Sequence, residues 1–200
     1  MTSIDTITLE VDDLAAAERF YHELGVADRV RLRATDAPTS GFRGFTVSLV
    51  CPQPGDVNLI VKTAIDAGAT ETKPASKSLW GYGGAFRAPD GTVWTIASSA
   101  KKDTAPVTGR VDSFVLLLGV DDVKASKQFY VDRGLSVGKS FGGKYVEFEG
   151  TGPIGFGLNK RKDLAKNAGV DPSGSGSHRL VVNSPIGPFT DPDGFEWEPA

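Results

Sequence analysis

The chain has 200 residues, with 22 basic and 25 acidic side chains interspersed and a formal net charge of −3. This balance argues against a nucleic-acid or anionic-membrane partner, and no apolar run reaches the roughly 18 residues of a membrane span. The length suits one large domain or two of about 100 residues. The single cysteine, Cys51, cannot form an internal disulfide, which indicates a reducing, cytoplasmic location.

The first elements are a strand, a helix and a short strand. Residues 6–11 alternate between polar and apolar side chains, which predicts a half-buried strand. Asp12 or Asp13 can cap the helix that follows, and Gly25 ends it. A short strand is predicted at about Val30–Arg33.

The next elements complete the first half of the chain. A strand is predicted over Phe42–Val50, followed by a helix over Gly55–Ala67 that has one apolar face. A hairpin then turns at Pro89-Asp90-Gly91, because Pro fixes φ and Gly tolerates a positive φ. We therefore interpret Asp90 as a turn residue rather than a catalytic acid.

The second half repeats the first with changes. The segment Thr6–Leu14 returns as Val115–Val123, and Ala88–Thr95 returns as Asp191–Glu198. The second copy offers extra strands and lacks the second helix; its predicted strands after the first helix are Leu135–Lys139, Lys144–Glu149, Ile154–Asn159 and His178–Asn183. We predict a first copy at 1–100, a linker at 101–109 and a second copy at 110–200.

These motifs together resemble the vicinal oxygen chelate superfamily, the group of glyoxalase I, bleomycin-resistance proteins and extradiol dioxygenases. The resemblance rests on the strand and Asp-Asp-Leu, the Phe-Tyr pair, and the closing Pro-Asp-Gly-x-x-Trp hairpin. It implies an α+β fold of tandem βαβββ units, here two degenerate copies, whose curved mixed sheets cup a ligand cavity. The stretches Leu79–Gly91 and Gly155–Leu158 look like glyoxalase-like actinobacterial proteins in particular.

The resemblance and strand alternation together assign side chains to faces. Thr6 and Thr8 should face the cavity in the first copy, as Val115 and Leu117 should in the second. Gly44, Thr46 and Ser48 should also point inward. In the counterpart strand we expect Arg179, Val181 and Asn183 on the helix side, next to solvent because the second helix is missing.

Metal-dependent relatives place four His or Glu ligands on cavity-facing positions of the first, fourth, fifth and eighth strands. Carried over, these positions hold Thr6, Gly44 and Thr95 in the first copy, and Val115, His178 and Glu198 in the second. Only His178 and Glu198 are suitable ligands, and three are usual in catalytic sites. We therefore expect no metal cofactor, with a divalent metal (Zn, Ni or Fe) on His178 and Glu198 as the alternative.

Three functions follow from the resemblance. The first is metal-free binding of a small molecule, lined either by Thr6, Thr8, Thr95, Trp80 and Tyr82 or by Val115, Leu117, His178 and Glu198. The second is a lyase, isomerase or dioxygenase in which Glu198 and His178 act catalytically. The third is a non-catalytic partner protein with closed cavities. The expected partner is a small molecule, and the missing helix allows a homodimer.

Overall fold

The computed structural model describes residues 2–200, which form two mixed sheets, a two-stranded ribbon and four helices. The helices are α1 (Leu14–Glu23), α2 (Pro54–Asp66), α3 (Val123–Val131) and α4 (Arg161–Asn167). The strands of the first half are β1 (Thr6–Val11), β2 (Val30–Ala34), β3 (Thr39–Gly41), β4 (Phe45–Val50), β5 (Thr70–Ser78), β6 (Gly81–Arg87) and β7 (Val93–Ser98). Those of the second half are β8 (Ser113–Val120), β9 (Ser136–Phe141), β10 (Tyr145–Glu149), β11 (Ile154–Lys160), β12 (Gly174–Gly176), β13 (Leu180–Asn183), β14 (Phe189–Thr190) and β15 (Glu196–Glu198).

Both large sheets combine strands from the two halves of the chain. The eight-stranded sheet has the order β5-β6-β7-β4-β8-β11-β10-β9, and the five-stranded sheet has the order β14-β15-β13-β1-β2. At the centre of each sheet, a strand from the first half of the chain forms an antiparallel pair with a strand from the second half. These pairs are β4 with β8 and β1 with β13. Since a strand from each half lies at each centre, neither sheet belongs to one sequence copy alone.

The α+β class and most predicted elements are confirmed, and no helix lies between β13 and β14. In one contiguous core, helices α1, α2 and α3 pack against the sheet faces that are turned away from the cups. Ile7 of β1 and Val47 of β4 are fully buried in this core. Trp94 and Trp197 are also buried there. No helix of residues 2–200 is long and apolar enough to cross a membrane.

The repeated Phe-Tyr and Pro-Asp-Gly motifs are joined through hydrogen bonds. The Tyr21 hydroxyl donates to Asp90 at 2.9 Å, and the Tyr130 hydroxyl donates to Asp191 at 2.6 Å. Burial raises the pKa of both tyrosines well above the usual value, so both remain hydroxyl donors. These bonds tie α1 and α3 to the segments that precede β7 and β15, which makes the motifs structural.

The predicted orientation of β13 is wrong by one residue. Val181 and Asn183 pair with Thr8 and Thr6 of β1, so they face the cup rather than the helices. Arg179 has a φ of 52° and directly precedes β13, as Gly44, with a φ of 86°, directly precedes β4. Arg179 rather than His178 therefore occupies the position of Gly44, and a one-residue shift reverses every side chain of a strand. The Arg179 side chain bonds the Ala37 carbonyl.

Two side chains at the start of α2 hold the linker at 101–109. Asp56 accepts hydrogen bonds from the backbone N–H groups of Thr108 at 2.8 Å and Gly109 at 2.7 Å. Gln53 bonds the backbone of Ala105 as both donor and acceptor. Both side chains are buried, so the linker is packed on the protein rather than free in solvent.

Candidate functional site

The concave face of the eight-stranded sheet encloses a cavity of about 420 Å³. Strands from both halves of the chain line it, with Thr46 from β4, Thr95 from β7, Leu117 from β8 and Asn159 from β11. Its volume falls within the range of about 300–1,000 Å³ that is usual for small-molecule sites. The cavity is therefore large enough for a ligand.

The cavity exists because cup-facing positions of the sheet carry little or no side chain. Gly83 of β6 pairs with Ala97 of β7, and both lie at the cavity. On the far side, a Cβ atom on Gly157 would lie 2.8 Å from the Val146 carbonyl oxygen and 3.0 Å from Leu117. A larger residue at Gly157 cannot fit without displacing backbone.

Helix α4 fills the other part of the cup. Leu164, Ala165 and Ala168 form a second apolar cluster with residues of the sheet such as Val93, separate from the main core. The C-terminal end of α4 is tied to β5, since the Thr72 hydroxyl donates to the Ala168 carbonyl at 2.7 Å. The cup is therefore partly closed but not full.

The sequence analysis did not predict α4. Arg161, the first residue of α4, is half-buried and has a structural role. Its guanidinium donates to the carbonyls of Phe42 and Pro172. The bond to Phe42 fixes the start of α4 to the segment that precedes β4.

Two polar groups of the cavity lining have no hydrogen-bond partner among residues 2–200. The Thr46 hydroxyl is buried and unpaired, and the residue is 0% exposed. The side-chain carbonyl of Asn159 is also buried and unpaired. Thr95, by contrast, shares a hydrogen bond with Ser48. Unpaired buried polar groups are rare in folded proteins, and each one requires an explanation.

Aromatic side chains stand at the mouth of the cavity. Trp80 lies in the two-residue turn between β5 and β6, lines the cavity, and is 85% exposed. Tyr145 lines it from β10 and packs against exposed Phe141, with ring centroids 6.1 Å apart. Burial raises the pKa of Tyr145 to about 12, and its hydroxyl donates to Glu147 at 3.2 Å.

Tyr82 differs from its expected role, although it borders the cavity. Its hydroxyl donates to Asn58 of α2 at 2.9 Å, and its ring packs against the main core. The side chain therefore lies on the helix side of the sheet. Val115 faces the cup two residues before Leu117 but does not reach the cavity.

Thr6 and Thr8 lie on the other sheet, away from this cavity. Both hydroxyls donate to the side-chain carbonyl of Asn183, at 3.2 Å and 2.8 Å. Glu198 of the same sheet forms two hydrogen bonds with Arg33, at 3.1 Å and 2.7 Å. Hydrogen bonding to Arg33 holds the pKa of Glu198 below its usual value, because the ionised form is favoured.

His178 and Glu198 are not brought together. The His178 ring nitrogens lie 2.5 Å and 3.1 Å from the carbonyl oxygens of Arg43 and Asp193, and the ring stacks on Phe195 at 4.0 Å. Glu198 pairs with Asn183 at the C-terminal end of β13, whereas His178 lies two residues before β13 begins. The two side chains therefore have separate partners and do not form one site for a metal ion or for catalysis.

The residues of the cavity do not fit a transition metal. Within residues 2–200, no three His, Cys, Asp or Glu side chains converge where they could hold a metal ion. The cavity lining offers hydroxyls and amides instead of imidazole, thiolate or carboxylate. Zn²⁺, Ni²⁺ and Fe²⁺ prefer nitrogen, sulfur and carboxylate ligands, so the donor set does not match them.

Sequence reasoning found part of this site. Thr46 was placed inward by the alternation of β4, and Thr95, Leu117 and Trp80 were named as ligand-binding candidates. Asn159 was overlooked because only carboxylate and imidazole ligands were sought on β11. Its position two residues from Gly157, on the same face of the strand, was the signal that could have identified it.

The sequence matches no protein-family model and no curated protein. Among solved structures, glyoxalase I from Zea mays matches with a TM-score of 0.61 and 13% identity, covering 98% of this chain and 91% of that chain. A putative dioxygenase from Bacillus subtilis matches with a TM-score of 0.58 and 14% identity, covering 90% of this chain and 69% of that chain. Identities this low support the fold and not a specific activity. The chain therefore has the fold of glyoxalase I.

Proposed function

We propose that the chain binds a small molecule in the cup of its eight-stranded sheet, without a metal ion in that cup. One observation carries the proposal: the cavity lining includes the Thr46 hydroxyl and the Asn159 amide carbonyl, both buried and both unpaired. Leaving such a group without a partner costs about 1–3 kcal/mol. A ligand with hydrogen-bonding groups at its inner edge would supply the missing partners.

The shape and lining of the cavity favour a flat, partly apolar molecule. Leu117 and Leu164 supply an apolar wall, while Trp80 supplies an exposed aromatic surface at the mouth. Pockets for drug-sized molecules combine a largely apolar lining with a few well-placed polar groups. The physiological role would be to sequester or carry a metabolite or antibiotic of this shape.

The alternative of a metal-dependent lyase, isomerase or dioxygenase is less well supported by the geometry. The two residues expected to carry it, His178 and Glu198, have separate partners. Among residues 2–200, no Asp, Glu or His side chain lines the cavity, so it lacks the carboxylates and imidazoles that most often act as general bases. Binding without chemistry is the simpler use of these groups.

A titration of flat compounds monitored by tryptophan fluorescence tests the proposal. Trp80 is the only exposed tryptophan of the three, because Trp94 and Trp197 are buried. Ligands in the cup should therefore change the emission of Trp80, and the response should vanish in Trp80→Phe if Trp80 is the reporter.

A variant that fills the cavity provides the decisive comparison. Ala97 faces the cup and is exposed, so Ala97→Phe should occupy the cavity without disturbing the core, whereas Ala97→Ser leaves it open. We expect Ala97→Phe to weaken the binding of any responding compound at least about tenfold, which corresponds to 1.4 kcal/mol. Equal binding by both variants would show that the compound does not occupy the cup.

A further inference from the structure

We propose that the molecule bound in this cup carries a single anionic group, held by Lys73, on a flat aromatic body that lies against Trp80. This inference rests on the proposed binding function and adds the chemical class of the ligand. Among residues 2–200, Lys73 is the only charged residue that lines the cavity. A negative group is therefore the charge that this site can pair.

The Lys73 ammonium group is positioned at the mouth and has unused donors. Its Nζ donates to the carbonyl of Asn167, in the last turn of α4, at 3.0 Å. An ammonium group has three donors, so two remain for a ligand. None of the ion pairs among residues 2–200 involves Lys73. The lysine is therefore anchored at the cavity without being neutralised.

The opposite rim does not cancel this charge. Glu147 of β10 pairs with Lys139 at 3.5 Å and also accepts the hydroxyl of Tyr145. Neither Glu147 nor Lys139 lines the cavity. Because that pair carries no net charge, the charge directly facing a bound molecule is the positive charge of Lys73.

The exposed aromatic surface specifies the rest of the ligand. Trp80 and its neighbour Leu79 are the two most exposed large apolar side chains among residues 2–200, at 85% and 79%. A flat ring against Trp80 would remove part of this surface from water, and offset stacking of the two rings would add to that stabilisation. The polar edge would then face Thr46 and Asn159, where hydrogen-bond partners are missing.

Two fluorescent probes with the same aromatic skeleton separate charge from shape. 1-Anilinonaphthalene-8-sulfonate is an aromatic anion with a flat naphthalene ring, and N-phenyl-1-naphthylamine is its counterpart without the sulfonate. Both brighten on entering an apolar site. The intact chain should bind the anion more tightly than the neutral probe.

Charge reversal on one strand supplies a matched pair of variants. Lys73→Glu reverses the charge at the cavity. Lys77→Glu makes the same change in net charge four residues along β5, opposite Tyr82 and on the face turned away from the cup. Lys73→Glu should weaken binding of the anionic probe at least about tenfold and leave the neutral probe unchanged, since it exchanges attraction for repulsion. Lys77→Glu should change neither.

The outcomes distinguish this inference from the proposed function. Equal binding of the two probes by the intact chain, or equal losses in Lys73→Glu and Lys77→Glu, would overturn the assignment of an anion to Lys73. A loss of both probes in Lys73→Glu would show a structural role through the bond to Asn167 and would also overturn it. If both probes bind Ala97→Phe as tightly as they bind the intact chain, the proposed binding in the cup fails as well.

Discussion

Two buried threonines, one on each large sheet, provide a direct test of the unpaired polar group in the cup. Thr46 of β4 and Thr8 of β1 are 0% and 4% exposed. The Thr8 hydroxyl donates to Asn183 at 2.8 Å, whereas the Thr46 hydroxyl has no partner. Replacement by valine removes the hydroxyl and keeps the branched shape. We predict that Thr46→Val stabilises the fold and Thr8→Val destabilises it.

The magnitudes follow from the partners of each hydroxyl. An unsatisfied buried hydroxyl costs about 1–3 kcal/mol, so Thr46→Val should raise the free energy of unfolding by about 1–2 kcal/mol. Thr8→Val removes one hydrogen bond, worth about 1 kcal/mol net. The loss should stay near that value because Thr6 still donates to the same Asn183 oxygen at 3.2 Å.

Thermal and urea unfolding of the two variants would measure this difference. A chain of this size shifts its Tm by about 2–4 °C for each kcal/mol, so the two variants should move in opposite directions from the parent protein. If Thr46→Val lowers the Tm as much as Thr8→Val does, the Thr46 hydroxyl is paired, for example with an ordered water. That result would remove the main support for a ligand in the cup.

Three further predictions concern residues outside the cavity. Asp56→Ala should cost about 2 kcal/mol and expose residues 101–109 to limited proteolysis, because two linker N–H groups lose their acceptor. Burial opposes the shift, but backbone hydrogen bonding lowers the pKa of Asp56. The contribution of Asp56 to stability is therefore present above pH 3.8 and is lost as the pH falls through the folded-state pKa, which acid-dependent proteolysis would detect. Arg33→Met should return the pKa of Glu198 towards 4.5 in an NMR titration, since Arg33 is what lowers it. His178→Ala should lower stability by about 2–4 kcal/mol and leave probe binding in the cup unchanged, because its ring supports backbone carbonyls and Phe195.

Local patterns were sufficient to identify most elements but not how they pair. Alternation along residues 6–11 and the helical spacing before Gly25 specify β1 and α1 without reference to the rest of the chain. The pairing of β1 with β13 joins residues far apart in sequence, and neither strand contains a local signal that names its partner. The exchange of strands between the two halves therefore could not be read from the repeat.

The error at β13 shows how one backbone conformation changes the interpretation of a whole site. Arg179 is the only non-glycine residue among 2–200 with a positive φ. Glycine adopts that conformation readily at the equivalent position, Gly44, and a sequence pattern gives no warning when an arginine does. With His178 at the inward position, the alternation predicts that Asn183 points towards the helices. With Arg179 there instead, Asn183 faces the cup, where Thr6 and Thr8 donate to it.

The two sheets differ in how their cup faces satisfy polar groups, and this difference supports placing the proposed ligand on the eight-stranded sheet. On the five-stranded sheet, Asn183 is bonded by two threonines and Glu198 is paired with Arg33, so both of these residues are satisfied, although the buried Ser184 hydroxyl that follows β13 is unpaired. On the eight-stranded sheet, Thr46 and Asn159 remain unpaired beside an open volume. Folding alone would favour replacing such groups with apolar ones, since they reduce stability. Their presence beside an open volume supports the proposal that a ligand binds at the eight-stranded sheet.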